Sequence, residues 1–409
     1  MLRSLSTAVS GLRNHQTKLD VVGNNIANVN TVSYKSGVTR FQDIFSQTLR
    51  GATAPLEGRG GVNPMQIGLG MEISSIDTVH TQGAITSTGR ETDLAIEGRG
   101  FFVVSDGQQN YYTRDGSFVR DSSGVLVNAN GLKLMGWVGE TTDISQPLGF
   151  VHIPLGEEMI ASSTKNIGFS GNLNAGGLAP DPADPYQYQY DTYVYDSLGN
   201  RHAVTFTFEK AATDNQWNYS ITHSEGLTVT GNGTITFTPE GRFDNVTTDT
   251  FSFNPGTGAV NPLDIKLDFS SLTQLAFSSN VIVREQDGFA PGELASFNIE
   301  SSGVITGTYT NGMVRQIAQL AMAAFANPQG LFKMGANLYD VSSNSGDPRI
   351  GLPGTEGRGM IQSRALEMSN VDLAFEFTEM ITTSRAFQAN TRVISTSDEV
   401  LLELINIKR

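Results

Sequence analysis

The sequence predicts an α+β chain of several domains. Terminal α-helices carry coiled-coil-like stripes, and the domains between them are β-rich. Three observations predict this. The 409 residues allow two or three domains at about 150 residues each. Both ends carry apolar residues at alternating spacings of three and four. Between them lie short β-type runs broken by Asp-Gly and Asn-Gly pairs, in a chain with 44 glycines and 14 prolines.

The first helix is read from Leu2, Leu5, Val9, Leu12, Gln16, Leu19, Gly23 and Ile26, six of which are apolar. Its predicted stop is near Asn24, Asn25 and Asn28, because asparagine tolerates the left-handed conformation of a helix C-cap. The last helix repeats the spacing through Asn370, Leu373, Phe377, Met380, Ser384, Phe387, Thr391, Ile394, Asp398, Leu401 and Ile405. Ser369 with Asp372 suggests a capping-box start, and Lys408 and Arg409 suit the negative end of the dipole. Such stripes either pack on an internal core or act as seams toward each other and toward neighbouring copies. The candidate subunit-interface residues are therefore Leu2, Leu5, Val9, Leu12, Leu19, Ile26, Leu373, Phe377, Met380, Phe387, Ile394, Leu401 and Ile405. An antiparallel pairing would bring Arg3 and Arg13 toward Asp398, Glu399 and Glu403.

The middle is β-rich. Phe101 to Trp137 reads as a β-meander with turns at Asp106-Gly107, Asp115-Gly116, Ser123-Gly124 and Asn130-Gly131. A second β block spans roughly 151–280, with a turn at Leu198-Gly199-Asn200 before the alternating Val204-Thr205-Phe206-Thr207-Phe208. Gly176 to Pro185 reads as a flexible connection, and Gln316 to Phe325 as a strand or short helix. Glu-Gly-Arg-Gly occurs at 57–60, 97–100 and 356–359. It is read either as turns or as an arginine-based contact between subunits.

Composition excludes several functions. A net charge of −14 repels phosphate backbones, so nucleic acid is a poor partner. With no cysteine, disulfides, thiolate metal sites and cysteine nucleophiles are unavailable. No run approaches the roughly 18 apolar residues of a membrane span, and the N-terminus lacks the apolar core of a secretory signal. The charge is uneven: residues 1–50 carry +4, 361–409 carry −2, and 51–360 carry −16. The glycine clusters complete no phosphate loop. The five histidines show no ligand spacing, and Asp181, Asp184 and Asp191 lack the calcium-loop register. No catalytic residue, cofactor or metal site is expected.

The segment Asn24 to Lys35 resembles the signature that follows the first helix in bacterial flagellar rod and hook proteins. Ala27, Asn28, Thr31, Tyr34 and Lys35 match, while Ser33 replaces the usual glycine. The replacement suggests a turn that does not demand positive φ at 33. Thr88-Gly89-Arg90, Asp93 to Ile96, Gly100 to Phe102 and Leu366 to Leu373 match as well. The insertion at about 150–280, with Val194 to Asn200, resembles the outer domain of hook-type members.

The resemblance implies a coiled-coil-like inner helical domain of 1–30 plus 362–409 and a linker region of 31–85. It further implies a middle β-rich domain of 86–149 plus 281–361 and an outer one of 150–280, inserted in the middle one. The expected function is a self-assembling, curved, torque-transmitting tube, with a distal-rod role as the alternative. The implied partners are further copies of the chain, the hook cap, distal rod and hook–filament junction proteins, and the flagellar type III export apparatus. Neither nucleic acid nor membrane insertion is implied. Composition alone suggests a cytoplasmic protein. The resemblance instead implies an extracellular location in the flagellar hook and basal body, reached without a cleaved signal peptide.

Overall fold

A computed structural model of the chain describes residues 2–55, 60–139, 144–154, 156, 158–176, 186–224, 226–256 and 258–407. The side chains of Leu2, Glu158, Leu404 and Ile407 lie outside that description, as do Glu57 to Arg59, Asp181, Asp184, Lys408, Arg409 and most of the 176–185 connection. The chain divides into two compact units. One comprises Met1–Ile153, Phe297–Thr306 and Arg315–Arg409; the other comprises Pro154–Ser296 and Gly307–Val314.

In the first unit, helix α1 (Leu2–Ala27) and helix α2 (Leu373–Ile407) flank a β-rich body. α1 ends where its asparagines predict. α2 starts one turn later than the capping box implies, because Asp372 is the N-cap itself. Its Oδ1 accepts from the backbone N–H groups of Ala374 (2.9 Å) and Phe375 (3.3 Å), which satisfies two orphan donors of the first turn. Beside α1 lies an antiparallel pair, Gly37–Asp43 with Met71–Thr78, and beyond it an exposed ribbon, Ser46–Arg50 with Met65–Gly68.

The main sheet is not a simple meander. Phe101–Ser105 and Asn110–Thr113 form a hairpin, but Lys133–Val138 returns to pair with Phe101–Ser105. Lys133–Val138 also pairs with Val314–Leu320 and, along other stretches, with Gly149–Phe150 and Leu126–Val127. Two apolar faces then need cover, and burial of both sides of Phe101–Ser105 favours the central position over an edge. The 316–325 segment lies in two strands, Val314–Leu320 and Met322–Ala324, and forms no helix. Two short ladders tie the two parts of the chain together: Leu94–Glu97 with Met360–Ser363, and Ile85–Ser87 with Ala365–Glu367. Asp115-Gly116 also departs from expectation, since Gly116 does not take positive φ. It passes against the Leu94 carbonyl instead.

The second unit is a β-sandwich of two five-stranded sheets. One is a sequential meander from Gln187–Tyr195 through Phe243–Val246. The other places Asn166–Asn174 between Leu263–Leu275, in parallel, and Ile282–Gln286. Alternation drives it: His202, Val204, Phe206 and Phe208 point inward while their neighbours do not, as the two-residue period of a strand requires. Phe169, Phe206, Phe208, Trp217, Phe251 and Phe269 share one core.

The turn between the first two meander strands is held from inside. Fully buried Asp196 accepts the N–H groups of Leu198 and Asn200 through Oδ1, both at 2.9 Å. Gly199 takes φ +85°, and a Cβ there would meet Pro291 and stand 2.8 Å from Ala161 Cβ. Gly199→Val should therefore lower the stability of this unit by roughly 2–4 kcal/mol. Calorimetry that leaves every transition within about 0.5 kcal/mol of the parent contradicts the turn's role.

Candidate functional site

Among the described residues, no three His, Cys, Asp or Glu side chains are grouped as a metal site. The organised features are the pair of terminal helices and the polar junction at its base.

α1 and α2 run antiparallel. Gly11 meets Asn390, Lys18 pairs with Glu379, and Asn25 Nδ2 donates to Glu376 Oε1 at 2.9 Å. The face of α1 turned inward follows Ala8, Gly11, His15, Lys18, Val22 and Asn25. Ala8, Gly11, Val22 and Asn25 are fully buried on it. This stripe keeps the spacing of three and four but lies one residue before the one marked by large apolar side chains. Small residues decide the difference: a Cβ on Gly11 would stand 2.8 Å from Asn390 Nδ2, so α2 approaches where side chains are absent. His15 and Lys18 fill the next turn against the Phe41 ring, with centroid distances of 5.6 and 5.9 Å.

Leu5, Val9, Leu12, Leu19 and Ile26 consequently border the contact and stay half-buried, while the Leu2 side chain is not described. On α2, Met380, Phe387, Ile394 and Leu401 are likewise half-buried. Leu373, Phe377 and Ile405 face outward at 40, 50 and 63% exposure. They are joined outside by Phe375, Ile381, Val393, Val400 and Leu402. The expected ion pairs do not form. Among the described residues, neither Arg3 nor Arg13 pairs with Asp398, Glu399 or Glu403, and Lys18–Glu379 is the ion pair between the helices. Arg3 and Arg13 lie on an exposed face of α1, where long side chains gain more from hydration than from a surface pair.

The signature residues form the junction. Ala27 closes α1, Asn28 donates its backbone N–H to the Asn24 carbonyl, and Thr31 Oγ1 donates to Asn28 Oδ1 at 3.0 Å. Tyr34 OH reaches Asn25 Oδ1 at 3.2 Å. Lys35 is fully buried and donates to Glu367 Oε1 at 2.7 Å and to the Thr81 carbonyl at 2.8 Å. Glu367 also receives Arg114 Nη1 at 3.4 Å and the Gly83 N–H at 2.9 Å. Burial pushes the Lys35 ammonium below its usual range and Glu367 pulls it back; Arg114 follows the same pattern. One carboxylate thus holds two cations in a dry interior.

Ser33 is a correction. It adopts φ +57°, so the turn does demand the left-handed region where glycine usually stands. The side chain offsets the strain: its Oγ donates to the Arg114 carbonyl at 2.7 Å and its N–H donates to the Glu367 carbonyl at 2.7 Å. Asn370 completes the junction by accepting the Ser36 N–H at 2.8 Å and donating to the Val79 carbonyl at 2.8 Å. His80 meets the Phe101 ring edge-on and the Tyr339 ring at a tilt. Burial first, then the charges of Lys35, Arg114 and Lys333, push its imidazole down to about 4. Sequence reasoning missed Asn25, His80, Arg114, Glu367 and Asn370 as a group. The signal available was a set of charged or amide residues inside apolar segments.

Profiles of known families match four stretches. These are "Flagella basal body rod protein" at 5–35, "Flagellar hook protein FlgE/F/G D1 domain" at 95–172, "Flagellar basal body protein FlaE D2 domain" at 171–289 and "Flagellar basal body rod FlgEFG protein C-terminal" at 362–407. Flagellar hook protein FlgE of Borreliella burgdorferi is 41% identical, with all of both chains covered. The FlgE of Escherichia coli K12 is 33% identical over 99% of this chain and 100% of its own length. Flagellar basal-body rod protein FlgG of Bacillus subtilis is 32% identical, with all of both chains covered. Among solved structures, Helicobacter pylori flagellar hook protein FlgE2 superposes with a TM-score of 0.56 at 17% identity, over 69% of this chain and 100% of its own. It shares the fold.

Two expectations follow from the junction. Glu367→Gln strands Lys35 and Arg114 in the interior and should cost about 3–5 kcal/mol, read by urea unfolding; a loss under about 1 kcal/mol contradicts the buried ion cluster. His80 is neutral in the folded chain down to about pH 4, whereas the ordinary imidazole value is 6.5. The unfolded chain therefore binds the extra proton, so this contribution is complete above pH 6.5 and is lost as pH falls toward 4. His80→Asn should remove up to about 3 kcal/mol of that acid slope. An unchanged difference between parent and variant at pH 7 and pH 4.5 would show that His80 titrates normally.

Proposed function

The chain belongs to the flagellar hook protein family and is a structural subunit of the bacterial flagellar hook, and from that premise we propose that its terminal helices are the seams of the tube. The supporting observation is the outward apolar face of α2. Phe377 and Ile381 are 50 and 55% exposed, and Leu373, Leu402 and Ile405 continue the face along the helix. Exposed apolar surface of this extent marks an interaction site. The half-buried residues of α1, Leu5, Val9, Leu12, Leu19 and Ile26, border it in our reading, with Leu373, Phe377, Met380, Phe387, Ile394, Leu401 and Ile405 on α2. A distal-rod role has less support, since hook proteins are the more similar full-length relatives.

Self-polymerisation and placement in the flagellar hook and basal body follow from the family. We further read the hook cap, distal rod and junction proteins and the type III export apparatus as its partners, with export to the outside of the cell and no cleaved signal. The chain works without catalysis in this reading. Residues 1–30 with 362–409 make the inner domain, 31–85 the connection, 86–149 with 281–361 the middle domain and 150–280 the outer one. Supporting that division, the sandwich unit is an insertion in the chain of the helix-bearing unit. Polar strand faces on the sandwich suit weak, wet contacts that rearrange as a curved tube turns.

Phe377→Asp with Ile381→Asp tests the seam. Both side chains are exposed in the single chain, so circular dichroism and unfolding should match the parent. In the tube each charge would enter a desolvated contact at a cost on the order of several kcal/mol, and sedimentation with electron microscopy should find soluble chains only. Tubes like those of the parent would refute the seam.

A further inference from the structure

Two copies of the repeated Glu-Gly-Arg-Gly meet in space. The Gly359 N–H donates to the Arg99 carbonyl at 2.6 Å, and Met360 pairs with Glu97 across the ladder. Gly98 lies so close that a Cβ there would stand 3.1 Å from Gly359 Cα. The two arginines then part. Arg358 turns inward, is 7% exposed, and pairs with Glu356 at 3.1 Å. Arg99 stays at the rim of a cavity of about 600 Å³, lined also by His80, Phe101, Arg114, Arg349 and Glu356.

Arg349 reaches that rim from the strand Arg349–Gly351. It lies opposite Ala324 of the strand Met322–Ala324, which pairs in turn with Phe101–Ser105. Two strand spacings of about 4.8 Å therefore separate Arg349 from the Arg99-Gly100 turn. Arg114 shares Glu367 with Lys35, and Glu356 pairs with Arg358. Arg99 and Arg349 have no acidic partner among the described residues. Deeper in, His80 Nδ1 is buried without a hydrogen-bond partner. The field there is positive, since Lys35, Arg114 and Lys333 all act against protonation of His80.

We propose that this cavity is a socket for an acidic side chain of a second copy of this chain, whose carboxylate bridges Arg99 and Arg349. The proposal rests on the hook-subunit reading. The occupant follows from charge: the chain carries 41 acidic and 27 basic residues, so a second copy offers carboxylates in excess to two guanidiniums that lack an acidic partner. Guanidinium forks suit a carboxylate better than lysines would. In a homopolymer, complementary patches on successive copies meet at high effective concentration. This gives the repeated motif two jobs, one arginine holding the rim in shape and the other meeting the partner.

The test uses the full chain. Arg99→Glu with Arg349→Glu changes exposed side chains, so the melting temperature should match the parent. The critical concentration for assembly, read by sedimentation, should rise at least tenfold. In parallel, a hexaglutamate peptide is titrated into the soluble parent and variant, with inorganic phosphate as a second probe. Hexaglutamate should bind the parent at least tenfold more tightly than the variant and should slow assembly of the parent alone. An unchanged critical concentration, or equal hexaglutamate binding by both chains, would overturn the socket. Phosphate bound as tightly as hexaglutamate would overturn the assignment to a second copy. A parent that binds hexaglutamate but forms no tubes would instead refute the hook reading. Arg349→Gln alone provides the same comparison if the double variant folds poorly.

Discussion

One buried carboxylate holds the helix-bearing unit in register. Glu367 receives Lys35, Arg114 and the Gly83 N–H within a volume that excludes water. Those groups come from the segment after α1, from the main sheet, from the strand region before it and from the approach to α2. Ion pairs of this kind do not stabilise more than packed apolar groups of equal size would. What they demand is a single arrangement, because any slip leaves a charge unpaired in a medium of low dielectric. The antiparallel placement of α1 on α2, the left-handed turn at Ser33 and the N-cap at Asp372 are all positioned from this point.

The helix pair carries the mark of that constraint. A junction fixed at the base leaves the helices to meet by whichever faces their anchors present. The faces presented are the small and polar ones: Ala8, Gly11 and Asn25 on α1, and Glu376, Thr383 and Asn390 on α2. Large apolar side chains are displaced toward solvent as a result. A helix pair evolved only to close on itself would bury its leucines and phenylalanines first.

Much of this was legible in the sequence and some was not, for physical reasons. The helices were legible because a period of three and four has no other common source, and the sandwich because Val204, Phe206 and Phe208 alternate with polar neighbours. Which helical face turned inward was not legible, since periodicity weighs side-chain size and the contact was decided by the absence of a side chain at Gly11. The ladder of the main sheet was misjudged because turn dipeptides specify local hairpins and say nothing of the strand on the other edge. Ser33 was misread because its compensating bonds come from Arg114 and Glu367. Glu367 and Lys35 stand 332 residues apart, and no local pattern announces such a pair.

The same separation orders events in time. Asn25 and Glu376, which join the two helices, are 351 residues apart. A contact of that span has a large loop entropy to overcome, and nearly all of the polypeptide must exist before it can form. One sheet of the sandwich, from Gln187–Tyr195 through Phe243–Val246, pairs strands that follow one another along the chain and needs no such wait. Domains also fold as units, the earlier ones first during synthesis. The helix pair therefore matures only once nearly all of the chain is present, and an incomplete chain holds folded β-structure with α1 unpaired. Closing the helix pair thereby reads the length of the chain, through residues near its two ends that touch.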